Sequence, residues 1–284
     1  MIRPLLALAT LLLALPAKAA LLTHLPATHM LATELTQGTE LTVTYLPPRR
    51  YGLTRLPAWF DGQGEATVAK AAQSADAVIT LGSIWPADPL YPHARAHNIR
   101  VVELDASRAL TPKGSSVVTR QMADGATSPY VWLSPANLAR MADILAADLK
   151  ALYPAHAERI AQNETALKQA ITQLQRDQQQ ALMASGIDAV VLLDDRLEDF
   201  VSGNSLFVLA RNTKPALTWT DEDKAELKAL AEEEGALVLL SAGKVPASVT
   251  QGLENVTVLT LDSLDRWASG IDAKAPLKRW QLNL

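Results

Sequence analysis

Short apolar runs alternate with stripes of helical period along most of this chain. Residues 20–24, 41–46, 77–81 and 100–104 predict strands, and residues 27–36, 65–74 and 89–97 predict the helices between them. Strands that alternate with helices imply a parallel sheet with both faces covered. The middle of the chain departs from this rhythm. Ser134 followed by Pro135 predicts a helix start, with an N-cap and a proline in the first turn. Leu138, Met141, Leu145, Leu149 and Leu152 then recur at spacings of three and four, until Pro154 ends the pattern. A longer helix is expected over 155–184, with Ile160, Leu167, Ile171, Leu174 and Leu182 on one stripe and Gly186 closing it. At about 1.5 Å per residue such a helix reaches roughly 45 Å, more than one lobe needs. It reads as a strut.

Beyond the strut the alternation resumes. Strands are expected at 187–193, 205–210, 236–240 and 256–261, and Thr220 should cap a helix that runs through Glu234. The expected fold is therefore α/β with two lobes, each a mostly parallel sheet with flanking helices. One long backbone helix joins them, and a cleft lies between. The expected boundaries are residues 20–153 for the first lobe, 154–185 for the linking helix and 186–284 for the second lobe.

Residues 1–19 change the picture at the amino end. Arg3, an apolar run over 5–15 and Ala17-Lys18-Ala19 form the pattern of a cleaved export signal, too short to span a bilayer. The chain has no cysteine, which rules out disulfides, thiolate metal sites and a lipid on cysteine. A soluble periplasmic monomer without a lipid anchor is the expectation. A net charge of −4 does not suit a general nucleic-acid binder. No G-x-S-x-G, phosphate-binding loop, H-E-x-x-H or cysteine nucleophile is present, so no catalytic activity is expected.

Residues 130–183 carry a more specific signal. Trp132, Leu133, Pro135, Pro154 and Asn163 fall in step with a segment of the solute-binding proteins of bacterial zinc and manganese ABC importers, the cluster A-I family. "ADAVITLGSIW" (75–85) and "VTVLTLDSL" (256–264) resemble two further cleft strands of that family. The resemblance implies a partner permease in the inner membrane and a metal held between the lobes by three histidines and a carboxylate. Its second, third and fourth ligand positions fall on Tyr130, Asp194 and Asp262. The first falls in "LPPRRYGLTRLPAWF" (46–60), which offers Arg49, Arg50 and Arg55 but no histidine.

That donor set is unusual for zinc, which prefers imidazole and carboxylate in a tetrahedron. Asp194 and Asp262 supply oxygens, and Tyr130 supplies a third only if its phenol ionises, so preference tilts towards a harder ion such as manganese. His24, at the end of the first strand, is the candidate fourth ligand, because strand ends line the crevice of an open α/β sheet. His29 follows it in the next helix. His93 and His97 share one helical face, where solvation is the expected role. Arg49 and Arg50, if they face the cleft, disfavour a bare dication and favour an anion or a metal wrapped in an anionic chelator. Trp59, Trp85 and Trp132 could wall such a ligand or simply pack. Three functions stay open: delivery of a divalent metal (zinc or manganese) or metal complex to an importer, binding of a small anionic organic ligand, or a non-transport envelope module with a decayed site.

Overall fold

The computed structural model describes residues 20–284 apart from 112, 113, 123 and 283. The expected export signal at 1–19 lies outside the described residues. In chain order the first half contains β1 (Ala20–Thr23), α1 (Pro26–Leu35), β2 (Thr42–Tyr45), α2 (Leu56–Phe60), α3 (Glu65–Ala72), β3 (Ala75–Thr80), α4 (Leu90–His97) and β4 (Val102–Asp105). Two long helices follow, α5 (Pro135–Leu152) and α6 (Ala157–Ala184). The second half contains β5 (Ala189–Leu192), α7 (Glu198–Gly203), β6 (Phe207–Arg211), α8 (Asp221–Glu234), β7 (Leu237–Ser241), α9 (Ala247–Thr250) and β8 (Val256–Thr260).

Each half builds a four-stranded parallel sheet, ordered β2-β1-β3-β4 and β6-β5-β7-β8. The strand order reverses between β1 and β3 in one sheet and between β5 and β7 in the other. In open α/β sheets the ligand crevice opens at such points, beyond the carboxyl ends of the strands. His24 directly follows β1, and Asp194 lies just beyond β5.

The two long helices pack against one another, and α6 also packs on α1. Along α6 the buried positions are Ile160, Leu167, Ile171, Leu174, Gln178 and Leu182, so one stripe faces inward while the rest is solvated. Asn163, matched above only by resemblance, has a physical role. Its amide donates to the carbonyls of Leu35 (2.9 Å) and Gln37 (2.8 Å), acceptors at the end of α1 that have no partner within that helix. At the other end of α6, Gln178 donates to the carbonyl of Trp280 at 2.7 Å, so the helix is tied to both halves. Thr220 and Asp223 form the expected reciprocal cap on α8. Ser134 does not cap α5 with its side chain. Gly203 of α7 lies so near that a Cβ there would stand 2.8 Å from Ser134 Cα. The start of α5 is thus set by Pro135 and by packing across the halves.

One buried apolar cluster runs through both halves, from Leu22 and Trp132 to Val190, Phe200, Leu264 and Trp280. A smaller cluster under Trp219, Leu227 and Val249 serves the second half alone. A shared core resists wide separation of the lobes, because opening would return that apolar surface to water.

Candidate functional site

The loops that follow the strands of the two sheets meet. Gly52, after β2, pairs in antiparallel fashion with Arg266, after β8, and the amide of Ala268 donates to the carbonyl of Arg49 at 3.2 Å. The Trp267 ring lies 4.2 Å from the Tyr45 ring and 4.9 Å from that of His29. Leu264 makes this crossing possible. Its φ of 52° lies in the left-handed region, a conformation that costs a leucine on the order of 1–3 kcal/mol, and its complete burial helps to hold it there. The turn carries Ser263 and Asp265 into the protein, where both are buried.

Arg196 stands at the centre. Its Nε and Nη2 donate to the two oxygens of Asp194 at 2.8 and 2.6 Å, a fork in which one guanidinium takes both lone-pair faces of one carboxylate. Nη1 lies 3.7 Å from Asp265 Oδ2. Asp265 Oδ1 accepts from the Ser263 hydroxyl at 3.1 Å and sits 3.4 Å from Arg266 Nε. A Cβ on Gly52 would stand 2.5 Å from Asp265 Oδ2, so glycine is what allows the backbone of the first half to come this close. Tyr130 is only 3% exposed and senses Asp265, Arg196 and Asp194. Burial, and then the Asp265 charge, push its phenol above the usual range, which disfavours the phenolate a metal would require.

The structure thus brings Tyr130 and Asp194 together and distributes the other candidates elsewhere. Asp262 Oδ1 accepts from the Leu264 amide and Oδ2 from Arg279 Nε, both at 2.8 Å; the carboxylate organises the turn. His24 is fully buried with Nε2 3.0 Å from Asp88, and its ring is stacked on Trp85 at 5.8 Å. That is an internal pair within the first half, sealed from solvent. Trp59 does not wall a cleft either. It is 4% exposed and packs edge-on against Phe60 in the core. Trp85 is half-buried over His24, and Trp132 is fully buried. His93 is bonded to Asp61 and the Pro89 carbonyl, an acid that the helical spacing alone did not reveal. Among the described residues no three His, Cys, Asp or Glu side chains stand together as metal ligands. The donors do not fit a bare divalent ion as they stand: Asp194 is taken by Arg196, Asp262 by Arg279, and the phenol of Tyr130 is held neutral.

Arg49 and Arg50 are exposed on the loop that crosses to the second half, beside Arg55. Arg50 and Arg55 lie over the Tyr51 ring at 5.1 and 5.5 Å, and Arg55 also donates to the Arg50 carbonyl. The backbone bridge between Gly52 and Arg266 brings this loop against the turn after β8, where Arg266 Nε lies 3.4 Å from Asp265 Oδ1. The sequence reading missed Arg196, Asp265 and Trp267. Faint signals existed: an arginine two residues beyond Asp194, and a second aspartate three residues beyond Asp262.

The family described as zinc-uptake complex component A, periplasmic, matches residues 63–270. The fold is that of several solved structures. ZnuA is 16% identical with a TM-score of 0.63, over 87% of this chain and 91% of that one. FpvC from Pseudomonas aeruginosa, solved in complex with Mn2+, is 16% identical with a TM-score of 0.68, over 93% of each chain. Zn(II)-bound AdcA from Streptococcus pneumoniae is 14% identical with a TM-score of 0.63, over 91% of this chain and 53% of that one. No curated protein sequence matches this chain.

Proposed function

We propose, from the premise that the chain belongs to the periplasmic zinc-uptake component A family, that it is the solute-binding protein of an ABC importer and that its cargo is a divalent metal carried in an anionic chelate. Members of the family are substrate-binding proteins rather than enzymes; they bind metal ions and work with ABC permeases. No described helix is long and apolar enough to cross a membrane. On this reading the exported protein works in the periplasm as a monomer, with lobes 20–153 and 186–284 tilting slightly about helix 154–185.

One observation carries the choice of cargo. The loop that could have offered an imidazole offers Arg49, Arg50 and Arg55 instead, two of them ordered on Tyr51 rather than paired with carboxylates. Unneutralised guanidinium groups repel a naked dication and recognise the carboxylates of a chelator. The test is calorimetric titration with manganese or zinc, as the chloride and as the citrate complex. The citrate complex is expected to saturate one site, and Arg49→Glu/Arg50→Glu to weaken it about tenfold or more. That estimate takes about 1.5–3 kcal/mol for each hydrogen bond to a charged group. Equal binding of the bare ions, or no effect of the double substitution, would refute this cargo. Metal-free citrate binding as tightly as its complex would favour a purely organic anion.

A further inference from the structure

We infer that the Arg196 guanidinium is a resident cation, built into the chain where loops of both lobes converge on oxygen donors, and that it excludes bare divalent ions. The inference rests on the reading of this chain as a solute-binding protein, but on residues separate from the arginine-rich rim.

The geometry comes from four loops. Asp194 and Arg196 come from the loop after β5, and Asp265 from the turn after β8. Gly52 comes from the loop after β2, and Tyr130 from the segment that enters α5. Arg196 chelates Asp194 with two N–H groups, directs the remaining nitrogen at Asp265, and lies in the field of the buried Tyr130 phenol. Removing the guanidinium leaves Asp194 without its counter-charge and Asp265 with only the Arg266 Nε at 3.4 Å, beside the neutral Tyr130 phenol. Such a hard, oxygen-rich set is what manganese or magnesium recruits. A delocalised cation that satisfies these oxygens through fixed N–H directions leaves no vacancy for a hydrated ion. Gly52 of the first half runs close beside the same Asp265 carboxylate, where a Cβ would stand 2.5 Å from Oδ2. Arg196 is thus a specificity-determining residue: it decides which ions these oxygens can accept, without itself contacting cargo held by Arg49 and Arg50.

Arg196→Gln, which removes the charge and leaves a shorter, neutral polar side chain, tests this. The full mature chain and the variant would be titrated with manganese chloride and zinc chloride and followed by thermal unfolding. The variant is expected to gain manganese affinity over the parent by about tenfold to a hundredfold, the range over which neighbouring groups tune a metal site. Its Tm should rise with added metal while that of the parent does not move. Arg196→Gln/Asp265→Asn should lose the gain. If Arg196→Gln is not recovered folded, refolding in millimolar manganese should restore it. Metal-insensitive Arg196→Gln, failed rescue, or a gain that survives loss of Asp265 would each overturn the inference. Citrate-complex binding by the parent is a separate readout, so failure here and failure of the proposed cargo can be told apart.

Discussion

Trp132→Ala is expected to lower the free energy of unfolding by about 3–5 kcal/mol, with a further 1–3 kcal/mol from a stranded hydrogen-bond acceptor. The indole is fully buried, and its Nε1 donates to the carbonyl of Ser263 at 3.0 Å, across the two halves of the molecule. The Trp132 carbonyl in turn accepts from Trp280 Nε1 at 2.9 Å, which ties the carboxyl-terminal segment to the same spot. Truncation opens a cavity in the shared core and leaves the Ser263 carbonyl buried without its donor. Trp132→Phe separates the two effects, because it keeps most of the volume and removes only the N–H. Urea unfolding of the three proteins is expected to order them parent, Phe, Ala, with the Phe variant nearer the parent. A Phe variant as unstable as the Ala variant would show that the hydrogen bond, rather than packing, dominates.

The second large effect is hidden in the parent by cancellation. Asp199 is 1% exposed, accepts from the Ser128 hydroxyl at 2.6 Å across the halves, and has its pKa raised by burial from 3.8 to about 6. Between those values the folded chain holds a proton that the unfolded chain has lost, so stability falls as pH rises through this window. His29 behaves in the opposite sense. Burial, with Tyr45 and Trp267 against the ring, lowers its pKa from 6.5 to about 4. There the unfolded chain binds the proton and the folded chain does not, so stability falls as pH drops through nearly the same window. Each shift corresponds to roughly 3 kcal/mol, at about 1.36 kcal/mol per unit. The parent should therefore show a shallow profile between pH 4 and 6.5 from these two groups. Asp199→Asn should stabilise the protein on the order of 3 kcal/mol at pH 8 and expose a steep loss on acidification. His29→Gln should expose the reverse slope. Denaturant midpoints measured across pH 4–8 decide it; parallel profiles for all three proteins would refute the assignment of both groups.

The order of elements was legible because it depends on local pattern. The alternation of period two and period 3.6, Pro154 between the long helices, and the Thr220 cap are each written within a few residues of where they act. Short elements escaped: α2, α7 and α9 span four to six residues, too few for a period to show. Asp194 and Tyr130 could be singled out by resemblance, since they lie at fixed distances from Leu192 and Pro135.

What surrounds those residues depends on chain separations that no local pattern encodes. Arg196 is two residues from Asp194, but Asp265 reaches it only because Leu264 adopts a left-handed turn under a buried side chain. His24 reads as a cleft residue by position, yet Asp88 and Trp85, far along the chain, enclose it. The sequence by itself determined the parallel sheets, the strut and the family segment, because backbone hydrogen bonding and amphipathic burial act over a few neighbours. Only the tertiary structure decided which charges neutralise one another. A carboxylate becomes a ligand or half of an ion pair according to the nearest cation in space, and here that cation is the chain's own arginine.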